Sequence, residues 1–255
     1  MLGASFPRRI PMRMLAALAL GTLFSAASLL AGDLTITSQV TGKGALAKDG
    51  AQVQYLSATR MRVNHAGSRT DSLVDYGKEV IYSIDHGKKV ITKITFKDMQ
   101  ETLQALEGQM AGMPEMVTKM MFGDVSEVKV EQLGPDTILG RPCRKVRITL
   151  GKMVEELSVD PSLQFPLKDY AKSMAMLNRA PGPMGALFKR VYQETAKLKG
   201  VPLRTRITGL MGMDVTTEAT AVSTAPIPDS AWALPSGYAE KDGGKEMKES
   251  MKGKR

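Results

Sequence analysis

Short runs of alternating apolar and polar residues dominate residues 34–95. Leu34 and Ile36, for example, alternate with Thr35 and Thr37, and five similar runs follow. This alternation is typical of strands that bury one face. The six runs begin near Leu34, Val53, Arg60, Leu73, Val80 and Val90. The turn-forming stretch 85–88 separates two of them, so the pattern predicts an antiparallel meander with hairpin connections.

The spacing of apolar residues then changes to steps of three and four, which is the period of an amphipathic helix. The residues of this stripe are Met99, Leu103, Leu106, Met110, Met113, Val117 and Met120. Gly112 and Pro114 interrupt it, and proline suits a first helical turn. We therefore expect two helical pieces, at about 97–111 and 114–121.

Strand-like alternation returns over residues 125–160, where Val146, Ile148 and Leu150 give its clearest example. Turns are expected at 134–136 and 151–152. Helices are predicted at about 167–179 and 184–198, a break at 200–203, and strands at about 204–211 and 214–224. Helices inserted between antiparallel strands favour an α+β fold, in which the helices cover the concave face of a curved sheet.

The amino terminus has the composition of a secretory signal peptide. Arg8, Arg9 and Arg13 precede an uncharged apolar run over residues 14–30. The run is at the lower limit for a membrane span, so we interpret residues 1–31 as a cleaved signal. The cleavage site has no cysteine, and no lipid anchor is expected. Residues 32–238 then form one exported domain, followed by a charged, disordered tail or loose helix at 239–255.

The net charge and the single cysteine exclude some classes of protein. The net charge is +9, and removal of the three signal arginines would leave +9 − 3 = +6. These charges are spread along the chain without interleaved aromatic residues, which argues against nucleic-acid binding. The single cysteine, Cys143, excludes an internal disulfide and is expected to be a buried small apolar residue.

Several short segments, in order, resemble the DUF4412 family of exported proteins, which is related to the LolA/LolB-like periplasmic lipoprotein carriers. The segments are 61–63, 73–75, 84–90, 139–146, 199–204 and 232–238. The resemblance covers about 34–238 and implies an unclosed antiparallel β-barrel, a half-barrel, with a helical lid over a cavity for acyl chains. It also implies a Gram-negative periplasm. The residues specific to the true carriers have no counterpart that we can place.

Methionine is unusually frequent, with 18 in the chain. Because its side chain is flexible and polarisable, it suits surfaces that repack around varied apolar partners. We expect the predicted helices to line a ligand site with Leu103, Leu106, Met110, Met113, Val117, Met120, Met174 and Leu177. The same stripe also fits an ordinary helix–core contact, and Met113, Met116 and Met120 have the spacing for Cu(I) ligation through thioethers.

Evidence for catalysis is weak. His65 and His86 fall near turns and are expected to be solvated. The carboxylates of Asp71, Asp75, Glu155 and Glu156 are expected to be solvated as well. Adjacent strand residues such as Glu155 and Glu156 point to opposite faces and cannot converge on one atom. No catalytic or phosphate-binding motif occurs, and we expect neither an enzyme nor a cofactor or metal site.

The sequence therefore predicts a monomeric, non-catalytic periplasmic binding protein that holds a lipid or the acyl chains of a lipoprotein. The alternative is an envelope interaction or sensor module that binds a protein partner and fills its cavity with its own side chains.

Overall fold

The computed structural model describes residues 32–43, 49–66, 69–110, 123–124, 127–164, 166, 193–194, 197–209 and 212–252. The expected signal segment 1–31, the second helical piece at 114–121 and the helix at 167–179 lie outside these residues. So does most of the helix expected at 184–198. In the described residues, no helix is long and apolar enough to cross a membrane.

Six strands form the first half of the fold and confirm the predicted meander. They are β1 (Leu34–Lys43), β2 (Gly50–Leu56), β3 (Arg60–His65), β4 (Thr70–Asp75), β5 (Val80–Asp85) and β6 (Val90–Thr95). Each pairs antiparallel with the next. Helix α1 (Phe96–Met110) starts directly after β6, as the spacing predicts.

The second half continues the sheet from β1. Its elements are β7 (Val128–Ile138), β8 (Arg141–Leu150), β9 (Met153–Asp160), β10 (Val201–Thr208), β11 (Asp214–Ser223), a 3₁₀ turn (Asp229–Trp232), β12 (Ala239–Asp242) and α2 (Gly243–Lys252). The strand order is β12-β6-β5-β4-β3-β2-β1-β11-β10-β9-β8-β7. The end strands β12 and β7 do not pair with each other. The predicted unclosed antiparallel barrel is confirmed, with one parallel addition, β12 on β6.

The two faces of the sheet have different contents. The core face carries Leu34 and Ile36 of β1, and the register places Leu157 and Val146 on the same face. These four side chains are buried in two apolar clusters. We call the opposite face the strap face, because residues 224–238 (the strap) cross its first half. There Ile227 and Trp232 bury Leu73.

Two sequence predictions on strands need correction. The expected turn at 134–136 lies inside β7, where a bulge between Gln132 and Gly134 absorbs it. Gly134 has a φ of 105°, which favours glycine, and Pro135 is tolerated because β7 is an edge strand. The turn falls instead at Leu139 and Gly140. The expected break at 200–203 is also wrong, because Val201 already begins β10.

The tail at 239–255 was expected to be disordered, but β12 and α2 occupy residues 239–252. The strand is ordered by backbone pairing to the sheet edge, starting with Ala239 N–H donating to the Lys89 carbonyl at 2.9 Å. The helix fits the loose-helix alternative in position. Cys143 is buried, 4% exposed, as predicted, and burial raises the pKa of its thiol.

Candidate functional site

Part of the predicted ligand site falls on described backbone. Leu103, Leu106 and Met110 lie on α1, in the order that the helical spacing predicts. The other predicted lining residues, Met113, Val117, Met120, Met174 and Leu177, lie outside the described residues, as does Met116. The described part of the site is therefore the core face of the sheet and the first turns of α1.

An apolar row crosses the core face in register. It runs over six adjacent strands as Leu34, Leu56, Met61, Val74, Ile81 and Ile94. Leu34 and Leu56 are buried, whereas the last four side chains are only half-buried. Each apolar side chain that leaves water stabilises the protein by about 25 cal/mol per Å² of buried surface, so this row favours an apolar cover. Sequence alternation identified the row one strand at a time, and only the register shows that it is continuous.

The neighbouring row on the same face is mostly polar. Ile36 is followed by Gln54, Val63, Ser72, Ser83 and Thr92. Ile36 is buried, whereas Val63 and the four polar side chains are half-buried. On the core face, a row of hydroxyl and amide groups therefore lies next to the apolar row. The two rows are two residues apart along each strand, which is about 7 Å.

The start of α1 is fixed by a reciprocal cap. Thr95 Oγ1 accepts from the Asp98 N–H at 3.1 Å, and Asp98 Oδ2 accepts from the Thr95 N–H at 3.2 Å and from its hydroxyl at 2.5 Å. Phe96 packs edge-on against Tyr76 with ring centroids 6.2 Å apart and joins the main core cluster. The root of the predicted lid is therefore anchored to the sheet.

Helix α2 reinforces that root. Lys248 Nζ lies 3.0 Å from Asp98 Oδ1 and 2.8 Å from Glu101 Oε2. The pKa of Asp98 is lowered mainly by the hydrogen bond from Thr95 and also by that from Lys248. The carboxylates of Glu101 and Asp98 raise the pKa of Lys248. A Cβ at Gly244 would clash with the Asp98 carboxyl group, so a larger residue there would displace the carboxylate that Lys248 binds. No local sequence pattern indicates this contact, because its two sides are 150 residues apart.

Glu155 of β9 places a carboxyl group on the core face. Glu155 is paired in register with Ile148 and Ile207, both apolar. Burial raises the pKa of Glu155, so the expectation of a solvated carboxylate is wrong for this residue. Its neighbour Glu156 faces the strap side, bound by Arg147 and Lys145, whose hydrogen bonds lower the pKa of Glu156. The two adjacent glutamates thus point to opposite faces, as the sequence predicts.

A buried polar cluster attaches the strap to the sheet. Arg62 Nη2 lies 3.0 Å from Asp71 Oδ2, and Arg62 Nη1 donates to the carbonyls of Ala231 at 3.1 Å and Ala233 at 2.8 Å. His86 Nε2 lies 3.0 Å from the same Asp71 oxygen, and its Nδ1 lies 3.0 Å from the Tyr238 hydroxyl.

The expectation of a solvated residue is therefore wrong for Asp71, which is 8% exposed. His86 has two side-chain partners, although its side chain is still 36% exposed. The covering strap lies about 160 positions later in the chain, and no local pattern indicates it.

The other half of the strap face carries an alternating row of charges. This charge ladder consists of Lys43, Asp214, Arg206, Glu156, Arg147 and Glu131, on six neighbouring strands. Arg206 binds Asp214 with two hydrogen bonds of 3.0 Å, and Arg147 Nη2 lies 2.7 Å from Glu156. Cross-strand pairs of opposite charge stabilise a sheet modestly.

A cavity of about 470 Å³ opens on this ladder, between Lys43 and Lys145. Its lining has four cationic and two anionic side chains, but Arg204 also pairs with Asp136 and Glu218 just outside. The charges are thus largely balanced among themselves, and we interpret the ladder as structural. Within the described parts of the chain, no group of three or more His, Cys, Asp or Glu could hold a metal ion.

Solved structures similar to this chain share little sequence with it. An uncharacterized conserved protein from Thermus thermophilus is 9% identical, with a TM-score of 0.45 over 84% of this chain and 91% of that one. The MucB structure is 13% identical, with a TM-score of 0.42 over 82% and 60%. PNGF-II is 13% identical, with a TM-score of 0.41 over 87% of this chain. The chain spans about a third of the PNGF-II chain, 33%.

Comparison of sequences gives the family directly. No curated protein matches the chain. A domain of unknown function, DUF4412, matches residues 48–238, three quarters of the length, and this range contains the apolar row from Leu56 to Ile94 and the strap. The predicted resemblance is confirmed: the chain belongs to the DUF4412 family.

Proposed function

We propose that this protein is a non-catalytic binding protein of the bacterial cell envelope, which holds a lipid or the acyl chains of a lipoprotein on its core face. The observation that carries the proposal is the apolar row from Met61 to Ile94, which is in register across four strands yet only half-buried. The predicted lid residues, from Leu103 to Leu177, would close over this row.

Burial of the ligand supplies the affinity in this proposal. Each methylene group removed from water contributes about 0.8 kcal/mol, so a long acyl chain needs no specific polar contact to bind. Because α1 is capped at Thr95 and braced by Lys248, ligand entry would require movement of the helices beyond the first turn of α1.

Uptake of a fluorescent fatty acid tests the proposal. I81Q and I94Q place amides in the apolar row and are expected to weaken uptake at least tenfold, because an unpaired amide in an apolar site is costly. K93Q is the matched control, since Lys93 is next to Ile94 on β6 and lies on the strap face. Equal uptake by folded I81Q, I94Q and K93Q would contradict the assignment of the site.

A further inference from the structure

The two edges of the sheet differ in whether other elements cover them. At one edge, β12 and α2 cover β6. At the other edge lies β7, which pairs with β8 on one side and with no other strand of the described chain. Its residues 130–134 are all exposed, and Val130 and Leu133 are each 37% exposed. A long exposed edge with apolar side chains is a ready template for another strand.

Only the first part of β7 can serve as a template. The bulge after Gln132 disrupts regular pairing, and Pro135 has no N–H to donate. These features protect the second part of the edge. Residues 128–132, with the sequence Val-Lys-Val-Glu-Gln, have neither feature.

This five-residue stretch is complementary to itself. If two copies pair antiparallel about a two-fold axis at Val130, Lys129 of each copy lies directly opposite Glu131 of the other. Val130 meets Val130, and Val128 meets Gln132. Directly opposite side chains share a face, so both Lys–Glu pairs lie on the strap face and the valine pair lies on the core face. A twofold-symmetric contact of this kind closes on itself and does not propagate.

We propose that a second copy of this chain pairs with β7 through residues 128–132, which joins two sheets edge to edge. Two charges are already in position for this contact. Glu131 ends the charge ladder, 3.6 Å from Arg147, with its side chain 57% exposed. Lys129 forms no ion pair within the described part of the chain. The lysine of the second copy would therefore extend the alternation of the ladder by one further charge.

The contact area is small, five residues from each copy, so the dimer is weak and depends on protein concentration. Sedimentation equilibrium over a concentration series tests the proposal with charge exchanges. K129E and E131K each turn two attractive pairs into repulsive ones and should weaken dimerisation by about tenfold or more. K78E is the control, because Lys78 is 74% exposed in the turn between β4 and β5.

Restoring the Lys–Glu pairs shows whether the two copies meet at this edge or through another surface. The double variant K129E/E131K recovers both pairs, and an equimolar mixture of K129E and E131K forms a mixed dimer. Recovery in the mixture also shows that the single variants are folded. A wild-type protein that stays monomeric at every concentration overturns the proposal. A dimer that K129E and E131K leave unchanged, or that the mixture fails to restore, also overturns it.

Discussion

The ammonium group of Lys248 lies 3.0 Å from the carboxylate of Asp98, although 150 residues separate them in the chain. Through this contact α2 holds the first turn of α1, from which the predicted lid extends. The carboxy-terminal segment is therefore part of the structure that supports the proposed site.

Removal of this brace should loosen the root of α1. In K248M, Asp98 and Glu101 lose their shared cation and repel each other, so the amides of the first turn of α1 should exchange hydrogen faster. Hydrogen exchange followed by mass spectrometry measures this. K245M is the matched control on the same helix, because Lys245 is 73% exposed and lies 4.0 Å from Glu249. Identical exchange in K248M and K245M would show that α2 does not brace the lid.

The strap should depend on Arg62 far more than on its neighbour Arg60. R62M leaves the Asp71 carboxylate and two strap carbonyls without their buried donor, a change that costs about 3–5 kcal/mol. Arg60 lies over the Trp232 ring at 5.0 Å, and R60M should cost only about 0.5–1 kcal/mol. Denaturant unfolding of both variants gives the two values. Similar losses for R60M and R62M would disprove the dominant role of the buried pair.

Glu155 should make stability fall as pH rises. Burial raises its folded pKa above the unfolded value near 4.5, so the unfolded state loses its proton first. Stability due to this group is therefore present below the unfolded pKa and lost as pH rises through the folded one. E155Q should melt at a higher temperature than wild type at pH 7, with little difference at pH 4. An equal difference at both pH values would exclude titration of Glu155 as the cause.

Asp98 and Glu156, in contrast to Glu155, should make stability fall as pH falls. Hydrogen bonds from Thr95 and Lys248 lower the pKa of Asp98, and those from Arg147 and Lys145 lower the pKa of Glu156. Their contribution is present above the ordinary pKa values near 4 and is lost as pH falls through the lower folded values. The melting temperature of wild type should fall more steeply from pH 6 to pH 2 than that of D98N. Parallel curves would contradict this assignment.

Local patterns predicted the elements whose signals are local. The alternation around Ile81 and Ile94 indicated β5 and β6, and the spacing of Met99, Leu103 and Leu106 indicated α1 with its start within one residue. The predictions failed where contacts between residues far apart in the sequence determine the structure. Asp71 is buried by a strap far along the chain, and β12 is ordered by an edge that only the folded sheet creates. At Pro135, pairing along an edge strand that tolerates proline outweighs the local turn preference.

The candidate site was predicted less completely than the fold. Sequence spacing identified the apolar stripe of α1, but it could not show that Met61, Val74, Ile81 and Ile94 form one row, because register depends on pairing between strands. The neighbouring polar row, which includes Gln54 and Ser72, was missed for the same reason.

The lid residues can be tested by substitution. The double variant M113D/M120D places two charges in the stripe that is predicted to cover the ligand, and it should abolish uptake of a fluorescent fatty acid because burial of an unpaired carboxylate is prohibitive. Circular dichroism confirms that the variant is folded. Unchanged uptake by the folded double variant would remove these helices from the proposed site.

The most direct test of the central claim is native mass spectrometry of the purified protein, with lipid extraction from the same sample. The proposed function predicts a mass per chain above that of the polypeptide alone and an acyl-containing species in the extract. A bare chain that also takes up no fluorescent fatty acid would contradict it. That result would favour the protein-interaction module, with the methionines as ordinary core packing.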